Sequence, residues 1–375
     1  MRANLYRYML TWGYRIVRPF CVRIKRTSYL FRFCSIRLEY LRRCDIAVRR
    51  LLRLPHRVCE STCYVNGLEN ILAWKGAEYS DFLLSVIGGM AGFAYFRFKR
   101  ADPPCMVYWG ANPKYLMKDL ANIIGFKEIL LEGKTFKNTF PKLKEFIDNG
   151  QPVVAGALDM YYLHYYTDLH EKHHIPIHYV LVIGYDDEER VIFVQDCSHK
   201  GIQSISYEEF EKSLDVNVPG MSKKNTIRSF AIPQKLQSEF NIAWKGFSYK
   251  AERFLKPPVR LFGLPAMRKL AKEIFEWNNK KCFEHMVTYA TAPPLLPETF
   301  ENSHGMRFWQ ADVLSKLGSK YKMKNWTEAA LFFRQSGNRI MKLCEAALKQ
   351  DKHKVSQFLT EIANIEERAY AMLRI

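Results

Sequence analysis

Three residues far apart in the chain have the types that thiol chemistry needs: Cys63 in TCYVNGLENILAW, His178 in HIPIHYVLVIGYD and Asp196 in RVIFVQDCS. A thiol becomes a useful nucleophile when a base or a positive potential favours its thiolate; histidine supplies a base near neutrality, and a carboxylate orients and charge-stabilises the imidazole. The apolar spacing of Val65, Leu68, Ile71 and Leu72 predicts a helix over residues 64–74, with Cys63 at its start, where unpaired N–H groups would face the sulfur. A free cysteine can equally be a small buried hydrophobe. His178 opens an apolar strand and Asp196 ends the next one, with the acidic DDEER between them as a hairpin turn. Pairing through that turn sets residues whose numbers sum to about 375 opposite one another; 178 and 196 sum to 374, so the two side chains are expected at the same end of neighbouring strands.

Other polar residues invite weaker readings. Asp159, in ALDMYYLHYY, ends a strand and with Tyr161 and Tyr162 could bind a cationic amine; the alternative is a strand-end carboxylate with aromatic packing. HEKHHIPIH gathers four histidines, but on an irregular loop without a carboxylate or cysteine at ligand spacing, and Cys59 and Cys63 form a C-x3-C with no second pair, so no metal is expected. Nine cysteines, an odd number with irregular spacing and no secretory signal, argue for a reducing compartment, the cytoplasm.

The elements that must position these residues follow from patterning. A chain of 375 residues, 48% apolar and 14% aromatic, can bury a full core. Fifteen of its 57 basic residues and two of its 38 acidic ones fall in residues 1–57, so most of the formal charge of +19 belongs to an Arg-rich leader, expected outside the fold. That leader has no apolar run long enough for a signal or a membrane span. It could touch a membrane or an anionic partner as a basic amphipathic arm. No RNA-binding aromatic motif accompanies it, so a nucleic-acid partner is not inferred. Residues 58–235 read as an α+β domain whose strands cluster in its second half, among them PVVAGAL, HYVLVIGYD and RVIFVQD. Residues 236–375 read as helices only.

The order of a helix-borne cysteine, a strand-borne histidine and a next-strand aspartate resembles the papain-like superfamily. The succession CYVNGLENILAWKGAEYSDFLLSVIGGMAGFAYF, QPVVAGALDMYYLHYY and HIPIHYVLVIGYDDEERVIFVQD resembles the N-terminal domain of the butirosin biosynthesis protein H family, and HGMRFWQADVLSKLG its helical C-terminal domain. The resemblance implies a papain-like cysteine-protease-type fold followed by an all-α domain. It also implies an acyltransferase of secondary-metabolite biosynthesis, with Cys63 as nucleophile, His178 as base and Asp196 as its orienting carboxylate. The donor would be a phosphopantetheine thioester on an acyl carrier protein and the acceptor a small-molecule amine, with no cofactor held by the chain itself. Thr62 stands where relatives often have His, and Arg57 where papain-like peptidases carry an oxyanion-donating Gln. A cysteine peptidase or amidase with the same triad, and a non-catalytic scaffold, are the competing functions.

Overall fold

In the computed structural model, which describes residues 48–110, 113–218, 221–291 and 302–374, the apolar runs over residues 127–231 become the strands of an antiparallel sheet. Its order is β4 (Lys127–Leu131), β9 (Ile227–Ala231), β5 (Val153–Leu158), β6 (His178–Asp186), β7 (Val191–Gln195) and β8 (Ile202–Ser206). A seventh strand, β1 (Arg49–Leu51), pairs with the far half of β6, Arg49 opposite Asp186. Strands β5 and β6 are buried along their whole length, which is why they read as continuous apolar runs rather than as alternation.

Helices α1 (Leu68–Trp74) and α2 (Asp81–Gly88) precede a two-stranded ribbon, β2 (Ala94–Arg97) with β3 (Cys105–Tyr108). The ends of α2 follow local chemistry: the Ser80 hydroxyl accepts from the Leu83 N–H at 3.2 Å, and Gly89 closes the helix at φ 101°. Helix α3 (Pro113–Ile124) leads into β4, α4 (Phe136–Asp148) joins β4 to β5, and α5 (Tyr207–Leu214) follows β8. From Glu239 onward the described chain is helical: α6 (Glu239–Leu255), α7 (Gly263–Glu273), α8 (Lys280–Thr288), α9 (Arg307–Tyr321), α10 (Lys324–Leu348) and α11 (Lys352–Leu373), with one short 3-10 turn after α7. The fold is thus α+β, an antiparallel sheet region followed by a helical C-terminal region.

Two boundaries differ from the sequence reading. The leader was expected to run to residue 57. Residues 1–47 lie outside the described residues, but Arg49–Leu51 adds a strand to the sheet, and Gln195 Nε2 donates to the Leu54 carbonyl at 3.2 Å. Arginine-rich composition did not prevent pairing because the arginines find acids: Arg49 and Arg50 lie 3.6 and 3.5 Å from Asp186 and Asp148. The change at residue 236 is one of secondary structure; residues Arg49–Ile375 form one compact unit, and a single apolar cluster joins Leu181 of the sheet to Leu359 of α11. Among the described residues, no helix is long and apolar enough to cross a membrane.

Candidate active site

Cys63 does not cap a helix. Residues 63–67 form turns and α1 starts only at Leu68, because Gly67 adopts φ 82° and cannot continue a right-handed helix. Glycine is required there twice over, since a Cβ would come within 2.8 Å of Val154 Cγ2. The turn lays Cys63 against the start of β6: its thiol is half-buried and lies 3.8 Å from the Ile177 carbonyl. Burial pushes this thiol up to about 12, and the Asp196 carboxylate adds to the effect; the N–H groups of Tyr179 and of Cys63 itself and the Thr62 hydroxyl work the other way. The expected helix-terminus activation is therefore replaced by a few individual donors, and at neutral pH the resting sulfur is a thiol.

His178 and Asp196 meet as expected. His178 Nε2 lies 2.9 Å from Asp196 Oδ2, with the histidine 5% exposed and the aspartate fully buried. The register is offset from the expected one. The last rung of the ladder is Leu181 opposite Gln195, and extending it would place Asp196 opposite Val180. The pair is thus diagonal, two residues out of register on one face, a separation side chains span. Pairs at the hairpin end sum to 377 and those beyond the bulge between Val182 and Gly184 to 376, so the bulge brings the register one residue nearer the expected one.

Four further donors hold the aspartate. Tyr165 Oη donates to Oδ2 and Tyr166 Oη to Oδ1, each at 2.8 Å, the Ser198 N–H reaches Oδ1 at 3.2 Å, and Tyr166 Oη also lies 3.3 Å from His178 Nε2. The main-chain carbonyl of Asp196 is bonded as well, 2.9 Å from His56 Nε2. Burial opposes the charge of Asp196, but His178 and the two tyrosines outweigh it and hold the carboxyl well below the usual carboxylate range. Burial likewise opposes charge on His178, and the Asp196 carboxylate overcomes it, so the imidazole is more basic than an ordinary histidine. With Nε2 committed to Asp196, Nδ1 is the nitrogen left for proton transfer.

Sequence reasoning missed Cys197 and the two tyrosines. The Cys197 thiol, a His178 ring nitrogen and an Asp196 oxygen all lie within 4.8 Å of one another, and burial pushes this thiol too up to about 12. No spacing rule singles out the residue after a strand-end aspartate. Tyr165 and Tyr166 stand in the quoted LHYY segment, but only the fold carries that loop over Asp196.

The remaining candidates serve the scaffold. Asp159 is buried and caps the 3-10 turn Met160–Tyr162: Oδ1 accepts from the N–H groups of Tyr161 at 3.1 Å and Ile175 at 2.9 Å, and Oδ2 lies 2.6 Å from His174 Nδ1. The Tyr161 ring stacks on His174 at 4.1 Å. This carboxylate is committed to folding its own loop rather than left open to an amine. The loop histidines do not converge on a common centre either, for His170 faces Glu209, His174 faces Asp159 and His178 faces Asp196. Arg57 pairs with Glu69 and Glu78, and its N–H donates to Asn70 Oδ1, so it braces the irregular segment before Cys63 against α1.

No curated protein matches this chain. The stretch from residue 62 to 197, which begins one residue before Cys63 and ends one residue after Asp196, matches the family described as butirosin biosynthesis protein H, N-terminal.

Proposed function

We propose that the chain is a thiol-dependent acyltransferase of antibiotic-type secondary metabolism, built on a papain-like arrangement of cysteine, histidine and aspartate. The observation that carries the reading is the buried His178–Asp196 pair at 2.9 Å, with the half-buried Cys63 thiol set against the backbone on either side of that histidine. The family description, butirosin biosynthesis protein H, supports the biosynthetic setting.

In this reading His178 Nδ1 takes the Cys63 proton as the sulfur attacks the thioester carbonyl of an acyl group on a carrier protein. The carrier sulfur leaves with that proton, and Cys63 holds the acyl group as a new thioester. An amine nitrogen then attacks this carbonyl; the amide bond forms, the Cys63 sulfur departs, and the proton lost by the amine returns to it through His178. Asp196 keeps the Nε2 proton in place and stabilises the imidazolium in both halves. Because Cys63 rests as a thiol, the dyad acts as a general base rather than finding a ready-made thiolate.

Incubating the protein with an acyl-loaded carrier and a primary amine, with the products followed by mass spectrometry, tests the reading. Amide formation that disappears in Cys63→Ala and His178→Ala is the expected result. Peptide cleavage without acyl transfer would support a peptidase instead, and neither activity with any thioester or peptide would favour a scaffold.

A further inference from the structure

Arg228 lies on β9, an interior strand, and is 1% exposed, yet its Nη2 makes no hydrogen bond among the described residues. Its Nε has only Glu128 Oε1, at 3.3 Å and too poorly aligned for a hydrogen bond. A buried guanidinium carries five N–H donors and ordinarily has them paired. The neighbouring Tyr179, whose ring centroid is 5.4 Å from the guanidinium carbon, turns its buried hydroxyl toward that guanidinium without reaching good hydrogen-bond geometry. A tyrosine hydroxyl cannot satisfy the spare donors of a guanidinium, so Arg228 marks a place completed by something other than the protein.

Arg228 forms part of the lining of a groove of about 480 Å³ between α3 and β4. Lys118 and Lys127 stand exposed at its rim, Lys114 contributes a third ammonium while also bonding Glu132, and Phe126 supplies an apolar wall. Glu128 is the one carboxylate in the lining. With Glu128 and the Glu132 that Lys114 bonds set against these four cations, a positive excess remains at the groove, which suits a charged oxyanion, and a guanidinium is the side chain best matched to one.

We propose that this groove binds the phosphoryl group of an anionic ligand, with Arg228 at its floor and Lys118 and Lys127 at its rim. The register fixes where the groove lies relative to Cys63. Arg228 is opposite Val154, Val154 is opposite Leu181, and both of those side chains crowd Gly67, so the groove opens on the sheet face that carries the Cys63 turn. Two ligands share the chemistry: a free phosphorylated small molecule, and the phosphate at the base of a pantetheine arm whose other end reaches Cys63. The second depends on the acyltransferase reading; the site itself does not.

Calorimetric titration of the full chain carrying Cys63→Ala with inorganic phosphate, 4′-phosphopantetheine and pantetheine tests this. Such a titration is blind to whether Cys63 is ever acylated, so the site and the acyltransferase reading fail separately. Phosphopantetheine is expected to bind at least about tenfold more tightly than pantetheine, the scale of one or two charge-assisted hydrogen bonds. The double change Lys118→Glu/Lys127→Glu, confined to the exposed rim, should weaken both phosphate-bearing probes by a similar factor. Arg228→Met should abolish the preference for phosphate, with circular dichroism reporting whether that variant folds. Phosphopantetheine binding more tightly than phosphate assigns the arm; equal affinities assign a free phosphorylated ligand. Equal binding of phosphopantetheine and pantetheine, or indifference to rim charge reversal, would overturn the proposal.

Discussion

At the scale of single residues, the site couples a raised histidine pKa to a depressed aspartate pKa, and both signs have consequences. In the proposed reaction His178 is the general base and must be neutral, so the acyl-transfer rate should climb with pH through a limb above the ordinary histidine value of 6.5, with no further ionisation of Cys63 until about 12. Asp196→Asn removes the charge that makes the imidazole basic; the limb should move to lower pH while the plateau falls by about 10²–10⁴-fold, measured as a pH–rate profile. The stability terms follow the same logic. The raised histidine contributes fully below its unfolded value and less as pH rises through its folded one, whereas Asp196 contributes above its unfolded value and loses that as pH falls through its own. The His178–Asp196 contact was legible in sequence because residue types, order and hairpin placement converge, and the same order singled out Cys63 as the candidate thiol. Cys197 and Tyr165 were not, since no pattern marks the residue after a strand-end aspartate and Tyr165 reaches the site only through a tertiary contact.

At the scale of elements, hydrophobic periodicity located the strands other than β1 and most helices, and capping residues such as Ser80 and Gly89 fixed the ends of α2. The same periodicity misplaced the start of α1. Val65 is buried as its spacing implies, but it sits in a turn, and apolar spacing carries no information about the sign of φ at Gly67. Gly67→Ala should therefore be costly: about 1–2 kcal/mol for a left-handed backbone with a Cβ, and about 1–3 kcal/mol for overpacking against Val154. Gly76→Ala is the control, because φ there is 88° but nothing lies within 4 Å of the added carbon, so only the backbone cost applies. Chemical denaturation of the two variants should show the larger loss for Gly67→Ala, and acyl transfer should fall with it because the turn that presents Cys63 is displaced.

At the scale of the whole molecule, a buried ion pair ties two helices of the C-terminal region to each other and to the loop between α2 and β2. Arg307, at the start of α9, meets Glu366 of α11 through two hydrogen bonds of 2.6 and 3.0 Å, with both side chains wholly buried. Its remaining nitrogen donates to the carbonyls of Gly92 and Gly305 at 2.9 and 2.8 Å, and Ser336 Oγ completes the carboxylate at 2.5 Å. Arg307→Met strands the Glu366 charge and should cost about 3–5 kcal/mol in urea unfolding, part of which Arg307→Met/Glu366→Leu should restore. Sequence showed Arg307 only as one member of the helical run HGMRFWQADVLSKLG, since a partner 59 positions away leaves no local trace. Acyl transfer through Cys63 is tested most directly by intact-mass analysis and peptide mapping of the full chain after incubation with an acyl-loaded carrier and no amine. One acyl adduct on Cys63, absent in Cys63→Ala and discharged when amine is added, is the predicted result; an adduct on Cys197, or none on any cysteine, would contradict it.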